Sequence, residues 1–260
     1  MQTLTSKDNP AVKYAVKLRK SARFRREEGR FIAEGMRICL DAVKSGAELD
    51  TLFLSEDALK KYPEQCDVLI SAADKTLAVS ASLFAVLSDT QTPQGALCVI
   101  KTLDKSSHFD TIKINGKFLA LENIQDPNNL GTVLRSAEAL GVSGVILSND
   151  CCDVYNPKVV RGSMGAVFRM PFLIVESIPA FLASNPGLHS YAAVVDPAAK
   201  PVTQVSFTEP CAAVIGNEGN GLRAETVAAC TEAVTIPMRG KAESLNASAA
   251  ATILIWEMIR

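Results

Sequence analysis

A series of short apolar runs in the second half of the chain constrains its fold most. They are Phe118–Leu121, Val145–Leu147, Val167–Val175, Ala192–Val195, Ala212–Ile215 and Ala233–Ile236. Most do not alternate with polar residues. A strand with one wet face alternates, whereas an unalternating run is buried on both faces, as in a parallel sheet covered by helices. Helix-period segments separate the runs. Leu130, Val133, Leu134, Ala137 and Leu140 stand at i, i+3, i+4, i+7 and i+10, an apolar stripe at helical spacing. Asp126-Pro127 and Asn156-Pro157 read as helix starts, each an N-cap followed by proline in the first turn. About six strands in an α/β, mostly parallel sheet are expected.

The first half is also α/β. Phe31–Ala33 reads as a strand leading into a helix with Met36, Leu40 and Val43 on one face. Leu52–Leu54, Val68–Ile70 and Ala96–Ile100 read as further strands, with a helix through Leu83, Val86 and Leu87. The stretch from Lys101 to Lys117 is more polar and carries Ser106-Ser107-His108 and Asn115-Gly116. This divides the chain into a domain at 1–101, a linker at 102–116 and a second domain at 117–260.

A hydrophobic content of 48% and a net charge of −1 exclude a disordered chain and a uniformly basic one. The charge is uneven, however. Residues 1–30 hold nine Lys/Arg against three acids, which fits either a solvated basic helix or a handle for a polyanion. Arg23, Arg25 and Arg26 are the candidates within it. The seven cysteines form no CxxC pair, so a reduced chain without disulfides is expected. His108 and His189 have neither metal-ligand spacing nor a nucleophile partner. A metal site and a Ser-His-Asp triad are therefore not expected. No secretory segment opens the chain and no apolar run reaches membrane-spanning length, so a cytoplasmic protein without a membrane partner is expected.

Three strand-to-loop junctions carry candidate chemistry. The first is Glu122-Asn123-Ile124-Gln125-Asp126-Pro127-Asn128-Asn129, with Arg135 interrupting the apolar stripe of the following helix. Asn129 and Arg135 lie roughly 120° apart around that helix. Taken alone, Arg135 fits a surface arginine as well as an anion contact. The second is Gly216-Asn217-Glu218-Gly219-Asn220-Gly221. Its glycines allow close backbone approach to a ligand. The spacing is not that of a dinucleotide loop, and no phosphate-gripping lysine follows. Glu218 also disfavours a phosphate and favours a cationic or neutral group. The third runs from Ile236-Pro237-Met238 to Ser244-Leu245-Asn246. It opens a nearly all-apolar helix, Leu245 to Ile259, whose unpaired N–H groups are open to a ligand.

Asn129-x-Gly131-x-x-x-Arg135, Gly216-Asn217-Glu218-Gly219-x-Gly221, and Ile236-Pro237-Met238-x-Gly240 with Ser244-Leu245-Asn246-x-Ser248 resemble, in order, the three signature motifs of the SpoU (TrmH-like) RNA ribose 2′-O-methyltransferases. The resemblance covers about residues 115–260. Phe31-Ile32-Ala33-Glu34-Gly35 resembles, less closely, the ribosomal-protein-like α/β RNA-binding domain that many members carry. The resemblance implies a deep trefoil knot, a homodimer, S-adenosylmethionine as cofactor and RNA as substrate. It favours ribosomal RNA, with tRNA or a non-catalytic role in ribosome assembly as alternatives. It places Gly216, Ile236, Leu245, Val195, Asn217 and Met238 around the cofactor. Arg135 matches the family's catalytic arginine. Guanidinium groups stay protonated, so gripping a phosphate and stabilising a developing alkoxide suits it better than acting as a base. Asn129 would position that arginine or the ribose, and Glu218 would orient Asn or Arg groups, within the chain or across the dimer. Ser244 and Asn246 would fix the loop and meet substrate or cofactor, and Arg161 would contact an RNA phosphate.

Overall fold

Proline and polar caps set where helices begin in this chain, and unalternating apolar runs set its central strands. The computed structural model describes residues 3–109 and 115–260; residues 110–114 of the expected 102–116 linker lie outside the described residues. The chain forms two compact units, Met1–Leu103 with Asp153–Phe168, and Asp104–Cys152 with Arg169–Arg260.

In the first unit, β1 (Thr3–Leu4) precedes α1 (Pro10–Lys20). Asn9 caps α1 by accepting from the Ala11 N–H at 2.9 Å, and Pro10 fills the first turn. Ser21 ends α1 and caps α2 (Ala22–Glu28), which stops at the left-handed Gly29. Next come β2 (Arg30–Glu34), α3 (Met36–Lys44), β3 (Leu49–Ser55), α4 (Glu56–Lys61) and α5 (Pro63–Ala72). The unit's sheet is completed by β4 (Ala73–Val79), α6 (Ala81–Leu87) and β5 (Ala96–Lys101). Its five strands are ordered β1-β4-β3-β5-β2, with β5 antiparallel to both neighbours. Val12, Ala15, Leu18, Phe53, Phe84 and Leu97 centre its core.

The expected strand at Val68–Ile70 is instead part of α5, with both residues exposed at its surface. A three-residue apolar run cannot separate helix from strand, and Pro63 at the first helical position was the usable signal. The strand belongs to the more polar Ala73–Val79, paired in parallel with β3.

The second unit contains β6 (Lys117–Leu121), α7 (Pro127–Leu140) and β7 (Gly144–Ser148). The chain then supplies α8 (Pro157–Gly162) and most of α9 (Ala166–Arg169) to the first unit. It resumes with β8 (Phe172–Val175), α10 (Ile178–Ala183), β9 (His189–Ala193), β10 (Lys200–Pro201) and β11 (Cys211–Ile215). Last come α11 (Ala224–Ala229), β12 (Glu232–Thr235) and α12 (Ala247–Ile259). The expected strand over Val167–Val175 is therefore a helical turn followed by a four-residue strand. The seven strands are ordered β10-β12-β9-β11-β6-β7-β8, and every pairing is parallel. The chain first builds outward from β6 through β7 to β8. It then starts again with β9 and inserts β11 between β9 and β6. That reversal marks a topological switch point, where crevices open beyond the carboxyl ends of parallel strands.

Within the first unit, α8 packs against β2, and Tyr155 stacks on Phe31 with ring centroids 4.4 Å apart. Arg25 joins the same structure. Its side chain is 4% exposed and sits 2.6 Å from the Asp153 carboxylate, and it also donates to the Leu18 and Arg19 carbonyls. Arg25 is thus bound internally and is withdrawn as an RNA contact. It falls on the buried face of α2, whereas Arg23 and Arg26 are exposed. Removing one partner of a buried ion pair strands the other charge. Arg25→Ala should therefore lose about 3 kcal/mol of stability in urea unfolding followed by circular dichroism. A loss below about 1 kcal/mol would contradict this account.

Candidate active site

The carboxyl ends of β12, β9, β11 and β6 lie side by side, and each passes into a polar loop. A cavity of about 720 Å³ opens beyond the first three of these ends, within the usual size range of a small-molecule site. Val195 comes from the end of β9, Gly216, Asn217 and Glu218 from β11, and Ile236 and Met238 from β12; Ser244 and Leu245 complete this set of lining residues. Asn129, Arg135 and Asn246 do not line it.

Glu218 holds the loops together. Its Oε1 accepts from the Asp126 N–H at 3.0 Å and from Asn129 Nδ2 at 3.1 Å. Its Oε2 accepts from the Gln125 N–H at 3.1 Å. Asn129, buried on α7, accepts through Oδ1 from Asn246 Nδ2 at 2.9 Å. One polar chain, Glu218–Asn129–Asn246, therefore crosses all three motif loops. Asn217 adds a further tie by donating to the Asn123 carbonyl at 2.9 Å.

Asn246 is fully engaged. Its Oδ1 accepts from the Ser248 N–H at 2.9 Å and the Ser248 hydroxyl at 2.6 Å, capping α12. This corrects two expectations. The helix begins at Ala247 rather than Leu245, and its first N–H groups are capped by the protein's own side chain rather than left open. Ser244, by contrast, is exposed at the pocket and makes no hydrogen bond among the described residues.

Gly216 is a glycine because of the protein's own backbone. A Cβ there would run into the backbone of Gly221 and Leu222. Asn217 and Gly221 bridge this hairpin through paired backbone hydrogen bonds of 3.0 and 2.9 Å. The sequence signal for close approach is sound, but what approaches is the loop itself.

Arg135 lies on the exposed side of α7 and has no hydrogen bond or ion pair among the described residues. Its neighbour Ser136 accepts from Thr252 of α12 at 3.0 Å. Arg26, Arg37 and Arg239 are likewise unpaired among the described residues, whereas Arg223 is engaged with Glu122 and Asp150. Arg161 lies in the first unit, half exposed, 3.7 Å from Asp89.

The sequence reading missed Asp196 and Glu243, which also line the cavity. Among the described residues, Asp196, Glu243 and Glu218 are its only charged lining residues, and no Lys or Arg lines it. The missed signal was Asp196-Pro197, a strand-to-loop junction after β9 of the same kind as the other three. Glu122 was missed as well. Its carboxylate is 1% exposed and accepts from the Arg223 N–H at 2.9 Å and from the Thr226 hydroxyl, tying the start of α11, just after the Gly216–Gly221 loop, to the end of β6.

The model of the SpoU rRNA Methylase family matches residues 116–256, and that of the MRM3-like substrate binding domain matches residues 9–98. An uncharacterized tRNA/rRNA methyltransferase of Synechocystis is 31% identical over 99% of this chain and 93% of its own. The 23S rRNA (guanosine(2553)-2′-O)-methyltransferase RlmP of Bacillus subtilis is 26% identical over 99% of both chains. The SpoU methyltransferase AviRb of Streptomyces viridochromogenes, solved with AdoMet, superposes with a TM-score of 0.84 at 27% identity, covering 96% of this chain and 97% of that one. The chain belongs to the SpoU rRNA methylase family and is an RNA methyltransferase.

Two predictions follow from the loop ties. Burial raises the Glu218 carboxyl pKa, but hydrogen bonds from Asn129 and from backbone N–H groups outweigh it, leaving the group below its ordinary value. Stability from a lowered carboxyl is present above the ordinary carboxylate range and lost as pH falls through the folded-state value. In thermal melts, Glu218→Gln should therefore melt below wild type at neutral pH, and the gap should close in acid. A gap independent of pH would remove the carboxylate from this role. Gly216→Ala should weaken binding of a pocket ligand in calorimetry by distorting the hairpin. Wild-type affinity would contradict the steric reading.

Proposed function

We propose that this protein transfers a methyl group from S-adenosylmethionine to a ribose 2′-hydroxyl of ribosomal RNA. The observation that carries the reading is the joining of three motif loops by Glu218–Asn129–Asn246 beside a cavity whose only charged residues are acids. The cofactor suits that cavity, since its sulfonium and ammonium groups are cationic while a nucleotide phosphate would be repelled. When bound, it supplies an electrophilic methyl group. Backbone at Gly216, Ile236 and Leu245, with Val195, Asn217 and Met238, would hold it. The relatives support the same reaction, because RlmP is named as an rRNA 2′-O-methyltransferase and AviRb was solved with AdoMet.

The chain's own task is to place a weakly acidic hydroxyl in line and favour loss of its proton. Arg135, exposed and without a partner among the described residues, would grip the phosphate beside the target ribose and stabilise the developing alkoxide. Asn129, held by Glu218 and Asn246, would fix the start of the helix that presents Arg135. Ser244, with its free hydroxyl, would meet substrate or cofactor.

The remaining assignments belong to the same reading. β11 enters the sheet between β6 and β9 and α12 returns against α7 and β11; these features are consistent with the family's trefoil knot. Trp256, 58% exposed on an otherwise apolar helix, offers a surface for a homodimer. The second unit would be the catalytic domain in place of the whole of 117–260, and residues 1–101, joined by Asp153–Phe168, would serve as an RNA-binding domain. Arg161, Arg23 and Arg26 are its candidate RNA contacts. No helix among the described residues is long and apolar enough to cross a membrane, and action on ribosomal RNA would place the protein in the cytoplasm.

Arg135→Ala should lower methyl transfer to ribosomal RNA by about 100-fold or more. Calorimetric binding of S-adenosylmethionine should stay near wild type. Near-wild-type turnover would overturn the assignment of Arg135, and lost cofactor binding would make its role structural.

A further inference from the structure

The structure sorts the basic N-terminal residues into two groups. Of the five arginines there, Arg26 is exposed and unpaired among the described residues, Arg23 makes an exposed local pair, and Arg19, Arg25 and Arg30 are engaged in holding the first unit together. Arg19 donates to the Leu87 carbonyl at 2.9 Å and to neighbouring carbonyls at the end of α6. Arg25 is tied to Asp153, Arg30 to Asp50 and Arg23 to Glu27. The lysines are left facing outward. Lys13, Lys17 and Lys20 stand at i, i+4 and i+7 on α1, and Lys7 precedes the helix. This spacing sets the three helical lysines in a row about 10 Å long.

The row lines a groove of about 450 Å³ with Val12, Val16 and Val86 at its floor. Lys7 and Lys20 have no hydrogen bond or ion pair among the described residues. Lys13 pairs with Asp8, the groove's one acid, through an exposed contact of 2.8 Å. Lys17 leans on the Phe24 ring at 3.9 Å. An ordinary solvated helix face intersperses acids among lysines, because like charges one turn apart repel. Helix α1 contains no acid at all. Asp8 offsets one of these charges, water and salt screen the rest, and a polyanion lying along the row would add direct partners.

We infer that this groove between α1 and α6 binds the phosphate backbone of the substrate RNA, independent of sequence. The inference rests on the RNA methyltransferase reading and deepens it by assigning a contact surface within the first unit. Lysines suit such a task as mobile point charges that follow a flexible backbone. The groove has no aromatic lining, so base stacking does not contribute, and the three valines can lie against ribose.

The test compares two quadruple variants of the full chain. One replaces Lys7, Lys13, Lys17 and Lys20 with Gln. The other replaces Lys44, Lys60, Lys61 and Lys75, exposed lysines outside the groove, so that net charge changes equally. Circular dichroism checks that both fold. The probe is a fluorescein-labelled single-stranded RNA of mixed sequence, titrated across a salt series. The groove variant should bind about tenfold or more weakly, and its log–log salt slope should become shallower by about 1 per lysine that contacts phosphate. The control should stay near wild type, and both variants should keep wild-type cofactor affinity. Equal losses in both variants, or wild-type binding and slope in the groove variant, would overturn the inference. Preference of the wild-type chain for vesicles of anionic phospholipid over RNA would overturn it too. Methyl transfer by the wild-type chain to ribosomal RNA is measured alongside. Its absence would overturn the reaction, whereas its presence with unchanged groove-variant binding would overturn the groove alone.

Discussion

The carboxylate of Glu218 is the interaction on which the arrangement of the site depends. It accepts backbone N–H groups at the start of α7, where helix donors lack internal partners, and it holds Asn129 by its side-chain amide. Asn129 passes the constraint to Asn246, which caps α12. Two helix starts and a hairpin are thus fixed by one negative charge. A carboxylate suits this better than a neutral group, because acceptors that carry charge make shorter and stronger hydrogen bonds. The same placement satisfies the carboxylate by hydrogen bonds, and among the described residues no Lys or Arg lines the adjoining cavity.

Rigidity at one end of α7 matters further along it. Arg135 lies six residues after Asn129, on a helix capped by Asp126 and anchored by a buried apolar face. A guanidinium that must meet a phosphate gains from a fixed base, since the ordering cost of reaching is then partly met in advance. Among the described residues Arg135 shares its unpaired state with Arg26, Arg37 and Arg239, whereas Arg25, Arg30 and Arg223 are each matched to an acid.

Much of this was legible in the sequence. Unalternating apolar runs announced the parallel sheet because burial on both faces removes the need for polar alternation. Asp126-Pro127 and Asn156-Pro157 marked helix starts because cap and proline act locally. The readings that failed depended on neighbours distant in sequence. Val68–Ile70 is the exception, a run too short to separate strand from helix, where the deciding cue was local, Pro63 at the first helical position. Gly216 signalled a close approach without saying that Gly221 is what comes close. Arg25, Arg23 and Arg26 look alike in sequence, and only the face of α2 that carries each decides which of them reaches solvent. Glu122 and Asp196 went unnoticed because a single acid after a strand acquires meaning only when other strand ends are seen beside it.

The segment Asp153–Phe168 falls between β7 and β8 of the second unit but belongs to the first. There it buries Val159, Val160 and Phe168, and it supplies the carboxylate that neutralises Arg25. The halves of this chain are therefore not beads on a string. A truncation at residue 103 would leave an orphaned apolar segment in the remaining half, and a graft of the first 103 residues onto another enzyme would lack part of its own core. Exchange of substrate modules between such enzymes would have to carry two separate stretches of gene at once, so the two halves of this chain are bound to be inherited together.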